Sequence, residues 1–140
     1  MTSPPLTDRE YAYFSVSGPG THESVTDIIG LQPSQAWNAG DRSEQTGRVQ
    51  KAMHWRLNSG FDDTVPLERH IDSLLLFLLP REEQLRKLWL DYDLVIQCVG
   101  HYLPSGHGVH LNREVVRQAA RLGLAFDLDF YYQDDHDHDG

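Results

Sequence analysis

A capped helix followed by an alternating strand, near the end of the chain, constrains the fold more than any other feature. Asn112 is placed to cap a helix, and Gly123 stands where a left-handed residue ends one. Beyond Gly123, apolar side chains alternate with small or polar ones, which is the period of a half-buried strand. The apolar positions are Leu124, Phe126, Leu128 and Phe130, and the others are Ala125, Asp127, Asp129 and Tyr131. This pattern predicts a sheet with one buried face.

Other segments show the same two periods. Further strands are predicted at 11–17, 50–57, 94–103 and 109–111. A short helix is expected at about 23–29. An apolar stripe over 67–78 is the strongest helical pattern in the chain, and Pro80 ends or kinks this helix before a second one. The segment 38–49 is polar and is expected to be a loop.

This order of elements predicts an α/β (α+β) fold. We expect a two-layer sandwich with a mixed or antiparallel sheet of about five strands and with helices mainly on one face. The expected organisation is a flexible N-terminus (1–9), one globular domain (10–132) and a flexible tail (133–140) rich in Asp and His. A chain of 140 residues can bury a core without disulfides or structural metal.

The net charge and the distribution of apolar residues limit the classes of partner and the cellular location that we expect. The formal net charge is −9, and because four acidic residues lie in the tail, about −5 remains for the rest. An acidic surface repels phosphate backbones, so no nucleic-acid partner is expected. No stretch is apolar enough to span a membrane, and no signal core is present, so a cytoplasmic protein without membrane contact is expected. The single Cys98 lies in an apolar run, which predicts a buried, inert thiol.

The polar faces of the predicted strands gather residues of functional types. They are Tyr11, Tyr13, Ser15, His54, Arg56, Gln97, His101, Asp127, Asp129 and Tyr131. If the strands were neighbours, His54, Arg56, Asp127 and Asp129 could meet as ion pairs or as an acid/base cluster. The alternative is a solvated sheet face with ordinary surface pairs. Aromatic residues and an arginine on a rigid surface are also typical of a protein-binding hot spot, so binding ranks above catalysis.

The sequence motifs for metal binding and for nucleophilic catalysis are incomplete. His101, His107 and His110 bracket one loop and are the candidate metal ligands, but no cysteine or helical His pair accompanies them. The tail from Asp135 to Gly140 resembles the first half of a calcium loop without its later ligands. No Gly-x-Ser-x-Gly elbow occurs, and the glycine loop at 17–21 lacks the lysine of a phosphate loop. We therefore expect no cofactor, and an enzyme is the less favoured class.

A set of residues spread over about 10–132 carries a family resemblance. The set contains the strand 11–17, Ile28, Gly30, Leu31, Pro33, Trp37, Gly40, Asp41, Trp55, Leu57, Ser59, Gly60, Leu67, His70, Ile71, Leu74, Gly108, His110, Leu111 and the segment 122–131. In this order and spacing they resemble small bacterial proteins of the domain of unknown function 4279 family. The resemblance implies a stand-alone α/β domain and transfers no catalytic residue. By analogy of class, such proteins sometimes serve as immunity proteins beside toxin genes.

These observations predict a protein-binding domain. The favoured hypothesis is an immunity-like or antitoxin-like inhibitor whose acidic surface attracts a basic protein partner. The alternative is a small-molecule-binding domain or small enzyme centred on His54, Arg56, His101 and Asp127. Whether the chain is a monomer or a homodimer stays open at this point.

Overall fold

The sheet and the helices alternate along the chain. The computed structural model describes residues 7–104 and 108–132. The strands are β1 (Arg9–Gly18), β2 (Gln35–Trp37), β3 (Met53–Asn58), β4 (Asp93–Tyr102) and β5 (Ala125–Tyr132). The helices are α1 (His22–Ile29), α2 (Leu67–Leu78), α3 (Glu82–Arg86) and α4 (Arg113–Leu122), with a 3-10 turn (Leu79–Arg81) between α2 and α3.

The five strands form one mixed sheet in the order β2-β3-β1-β4-β5. The first three pairings are antiparallel, and β5 runs parallel to β4. Parallel neighbours need a crossover, and α4 supplies it. The prediction of an α+β sandwich with a mixed or antiparallel sheet of about five strands is therefore confirmed, and the sheet is the mixed one of the two.

One face of the sheet carries the core. Phe14, Trp55 and Ile96 lie on neighbouring strands with no exposed surface, and the stripe of α2 packs against them through Leu74 and Leu78. Cys98 is also fully buried, so the prediction of a buried thiol is confirmed. No helix in the described residues combines the length and apolar character needed to cross a membrane.

Capping residues set the helix boundaries as predicted. The Asn112 side chain accepts a hydrogen bond from the Val115 backbone N–H at 2.9 Å. Helix α4 ends at Gly123, whose φ of 74° is left-handed and favours glycine. The indole of Trp89 packs directly under Gly123 and donates a hydrogen bond to the Leu122 carbonyl at 3.0 Å.

The local predictions differ from the structure at three places. The segment 109–111 is not a strand: Val109 and Leu111 pack against the core from a connection, and the His110 N–H donates to Glu68 at 3.2 Å. The alternation of apolar residues over 109–111 therefore reflects the packing of a loop against the core and not strand pairing. The fifth strand is instead the unpredicted β2, which is too short to show a period of two. The predicted strand at 50–57 begins later, at Met53.

Candidate functional site

The sheet face opposite the helices, called here the open face, carries polar and aromatic side chains on all five strands. The strand registers place there Tyr11, Tyr13, Ser15, His54, Arg56, Gln97, His101, Asp127, Asp129 and Tyr131, the complete set predicted from the sequence. Gln35 and Trp37 of β2 join them. This placement follows from the alternation, because the neighbouring positions on each strand are apolar and face the core.

The arginine of β3 lies between two aromatic rings. The Arg56 guanidinium carbon is 4.7 Å from the Tyr13 ring centroid and 5.0 Å from that of Trp37. Trp37 also contacts the His54 ring, with a centroid distance of 5.3 Å. Tyr13, Trp37, His54 and Arg56 are named the aromatic cluster below. Each cation–π contact contributes about 0.5–1 kcal/mol at a partly exposed position, so the two rings hold the guanidinium in one place.

Three polar atoms of the aromatic cluster are buried without a hydrogen-bond partner. They are Trp37 Nε1, His54 Nδ1 and Arg56 Nε. Desolvation, together with the positive charge of Arg56, lowers the pKa of His54, so its imidazole is neutral near pH 7. A buried unsatisfied donor costs about 1–3 kcal/mol, and unsatisfied groups concentrated in one place favour a site that a binding partner completes.

Acidic side chains lie on the other half of the open face. Asp129 accepts a hydrogen bond from Gln97 Nε2 at 2.6 Å, which orients its carboxylate across β4. Asp127 is exposed, and its negative charge adds to burial in raising the pKa of Cys98 to about 12. His101 and Tyr131 stack at the far end of the same two strands, with centroids 5.1 Å apart.

The two halves of the open face do not meet. Strands β1 and β4 separate β3 from β5, so His54 and Arg56 are three strand spacings, about 14 Å, from Asp127 and Asp129. The ion-paired or acid/base cluster expected for neighbouring strands therefore does not form. His54, Arg56 and Asp127, with Gln97, line one shallow depression of about 600 Å³, and His101 does not.

The described residues form no group of three or more metal-ligating side chains. His101 stacks on Tyr131, while the backbone of His110 is held by Glu68 of α2. His107 and the calcium-like tail 135–140 lie outside the described residues.

Two features escaped the sequence prediction. The first is the position of Trp37 on a strand: Trp37 belongs to the set that carries the family resemblance, but the local sequence indicates only that the segment after Pro33 is extended or turning. The second is a buried pair: His70 Nε2 lies 3.1 Å from the Val65 carbonyl, and His70 Nδ1 lies 2.5 Å from Ser59 Oγ. No sequence motif joins a serine after a strand to a histidine inside a helix.

The Ser59–His70 pair is an element of structure. A carbonyl only accepts, so Nε2 of the neutral ring carries the proton and donates it to Val65, while Ser59 donates to Nδ1. Neither residue presents a surface to a substrate, because His70 is 0% and Ser59 4% exposed. The pair fixes the turn after β3, in which Phe61 and Asp62 border the open face beside Tyr11 and Tyr13.

Comparisons with known proteins agree with the resemblance seen in the sequence. The family model described as domain of unknown function (DUF4279) matches residues 8–133, nearly the whole chain. No curated protein and no solved structure matches the chain. The family assignment made from the sequence is confirmed.

Proposed function

We propose that this chain, which belongs to the DUF4279 family, is a protein-binding domain that engages a basic partner through its open face. The observation that carries the proposal is the aromatic cluster, in which Arg56 is held between Tyr13 and Trp37 on a sheet face that no described helix covers. Tryptophan, tyrosine and arginine dominate protein-binding hot spots, and a rigid sheet presents them with little loss of conformational entropy on binding.

The acidic half of the open face selects the partner. Asp127 and Asp129 are exposed, and the chain as a whole is acidic, with a formal net charge of −9. Such a surface accelerates encounter with a basic protein and disfavours acidic competitors. An immunity-like or antitoxin-like inhibitor of a basic partner, in the bacterial cytoplasm, is the specific role that we propose.

Affinity capture from the native host tests this proposal. The wild-type chain should retain one basic protein in stoichiometric amount, and the purified partner should lose affinity for Arg56→Ala by about 30-fold, as for a hot-spot residue. Arg113→Ala on α4 is the matched control, because Arg113 is exposed on the helix layer, and it should bind as the wild type does. Equal affinity of both variants would rule out the aromatic cluster as the binding centre.

A second candidate function is small-molecule binding. The observation in its favour is the depression of about 600 Å³ that His54, Arg56 and Asp127 share. Thermal denaturation in the presence of a panel of small anionic metabolites distinguishes it from the first. A ligand that raises the melting temperature of the wild type and of Arg113→Ala, but not of Arg56→Ala, would support this alternative.

A further inference from the structure

The outer edge of β5 carries unused hydrogen-bonding capacity. Strand β5 pairs with β4 along one side over its 8 residues, and no other strand in 7–104 or 108–132 pairs with its opposite side. Alternate residues of an edge strand direct their N–H and C=O groups away from the sheet. Within 7–104 and 108–132, the groups on this side of β5 therefore have no strand partner, and a further strand could pair with them.

Several features that usually prevent strand addition are missing from β5. Its sequence contains no proline or lysine and its register with β4 contains no bulge, and its charged residues, Asp127 and Asp129, disfavour an acidic strand but not a basic one. The opposite edge of the sheet is different, because β2 has only 3 residues. Of the two edges, only that of β5 offers a long template.

The side chains of β5 specify what such a strand would carry. On the helix side, Leu128 is 46% and Tyr132 54% exposed, which leaves apolar surface uncovered. On the open face, Asp127 and Asp129 are exposed, and Gln97 orients the second carboxylate. An added strand would meet apolar surface on one side and two carboxylates on the other, at the spacing of alternate residues.

This charge pattern disfavours a second copy of the chain as the added strand. Two-fold antiparallel pairing of β5 with itself, centred on Leu128, places the aspartates of one copy opposite those of the other. Like charges directly opposite each other on neighbouring strands are destabilising. A strand that alternates basic and apolar residues satisfies both faces.

We propose that β5 binds an extended segment of the basic partner by strand addition, with lysine or arginine side chains over Asp127 and Asp129 and apolar side chains beside Leu128 and Tyr132. The inference rests on the proposed function, because it names the part of the partner that binds and the way in which it binds. Backbone hydrogen bonds supply affinity, and alternate side chains supply specificity.

Amide hydrogen exchange of the full chain tests strand addition directly. The probe is an 8-residue peptide of alternating lysine and valine, equal in length to β5. Binding should slow exchange of every second β5 amide by about tenfold or more, because outward amides gain partners while inward ones already pair with β4. The same peptide N-methylated at each residue keeps its charge but cannot donate, and it should bind at least about tenfold more weakly.

A charge swap gives a second, independent readout. Asp127→Lys/Asp129→Lys should lose the lysine–valine peptide and bind a glutamate–valine peptide instead. Asp27→Lys/Asp72→Lys is the matched control, since it changes the net charge equally at exposed helix positions, and it should keep the original preference. Equal binding of the N-methylated peptide, or an unchanged preference after the swap, would overturn strand addition. A concentration-dependent dimer with protected β5 amides would overturn it in favour of a second copy.

Failure here is distinguishable from failure of the proposed function. If the captured partner depends on Arg56 but leaves the outward β5 amides unprotected, strand addition is wrong and binding through the open face stands. If the partner is indifferent to Arg56 as well, the proposed function fails.

Discussion

In the buried Ser59–His70 pair, the cost of removing the serine hydroxyl should depend on whether the histidine is present. In the native protein Ser59 donates to His70 Nδ1 at 2.5 Å and also accepts from the Phe61 N–H at 3.3 Å, while His70 Nε2–H donates to Val65. Replacing His70 by phenylalanine keeps an aromatic ring against Phe61, whose ring centroid is 5.8 Å away. It leaves the Ser59 hydroxyl proton without an acceptor and the Val65 carbonyl without a donor, while the Phe61 N–H still donates to the Ser59 oxygen.

The expected magnitudes follow from those losses. Each buried group left unsatisfied costs about 1–3 kcal/mol, so His70→Phe should lower the free energy of unfolding by about 3 kcal/mol. Ser59→Ala alone should lower it by about 1–2 kcal/mol, because it orphans His70 Nδ1. In the His70→Phe background the same change removes a hydroxyl that has already lost its acceptor and keeps only the long contact with the Phe61 N–H at 3.3 Å. There Ser59→Ala should be close to neutral, which is a coupling of about 1–2 kcal/mol.

A double-mutant cycle in urea, followed by tryptophan fluorescence and far-ultraviolet circular dichroism, measures this coupling. Ser73→Ala is the matched control: the Ser73 hydroxyl donates to the Ser59 backbone carbonyl at 2.6 Å and not to the Ser59 side chain or the imidazole, so its effect should add to that of His70→Phe. If Ser59→Ala destabilised both backgrounds equally, the hydroxyl would not donate to the imidazole. If it left stability unchanged but abolished an activity, the pair would be a catalytic dyad and its structural assignment would be wrong.

Three further predictions follow from burial and backbone geometry. Burial lowers the pKa of His70 from 6.5, so below that pH the unfolded chain binds a proton more readily than the folded chain does. The free energy of unfolding should therefore fall as the pH drops below 6.5. Urea midpoints measured at several pH values should show a shallower fall in His70→Phe than in the wild type. Gly123→Ala should destabilise more than Gly30→Ala in the same urea titration, because both residues have positive φ but only at Gly123 does an added Cβ meet Trp89. Burial and the charge of Asp127 raise the pKa of Cys98 to about 12, so a thiol reagent at pH 8 should label it only at the rate of unfolding; fast labelling of the native protein would contradict this.

Local patterns in the sequence were sufficient to predict most of the strands and helices. Apolar periods located the long strands and helices, and Asn112 and Gly123 located one helix to the residue, because these signals act within a few positions of each other. They also assigned the binding candidates on the strands to the correct sheet face. The short β2 was missed because 3 residues show no period, and 109–111 alternates for a reason other than strand pairing.

Strand order was the part that the sequence could not supply. Pairing partners are chosen by long-range packing, so nothing local indicates that β1 and β4 stand between Arg56 and Asp127. The expected charged cluster failed for that reason alone, although each of its residues was placed on the correct face. The aromatic cluster was not predicted because it forms only when β2 lies beside β3, and the sequence does not indicate that pairing.

The separation of the two halves favours a protein over a small ligand as the proposed partner. Trp37 on β2 and Asp129 on β5 are four strand spacings apart, which is about 19 Å. A compact metabolite bound in the shared depression would contact Arg56 or Asp127, but it would not extend from Trp37 to Asp129. An interface of ordinary size, about 800 Å² on each partner, covers this distance. A partner that places its basic residues over β5 and its central contact over Arg56 therefore uses every unusual feature of the open face at once.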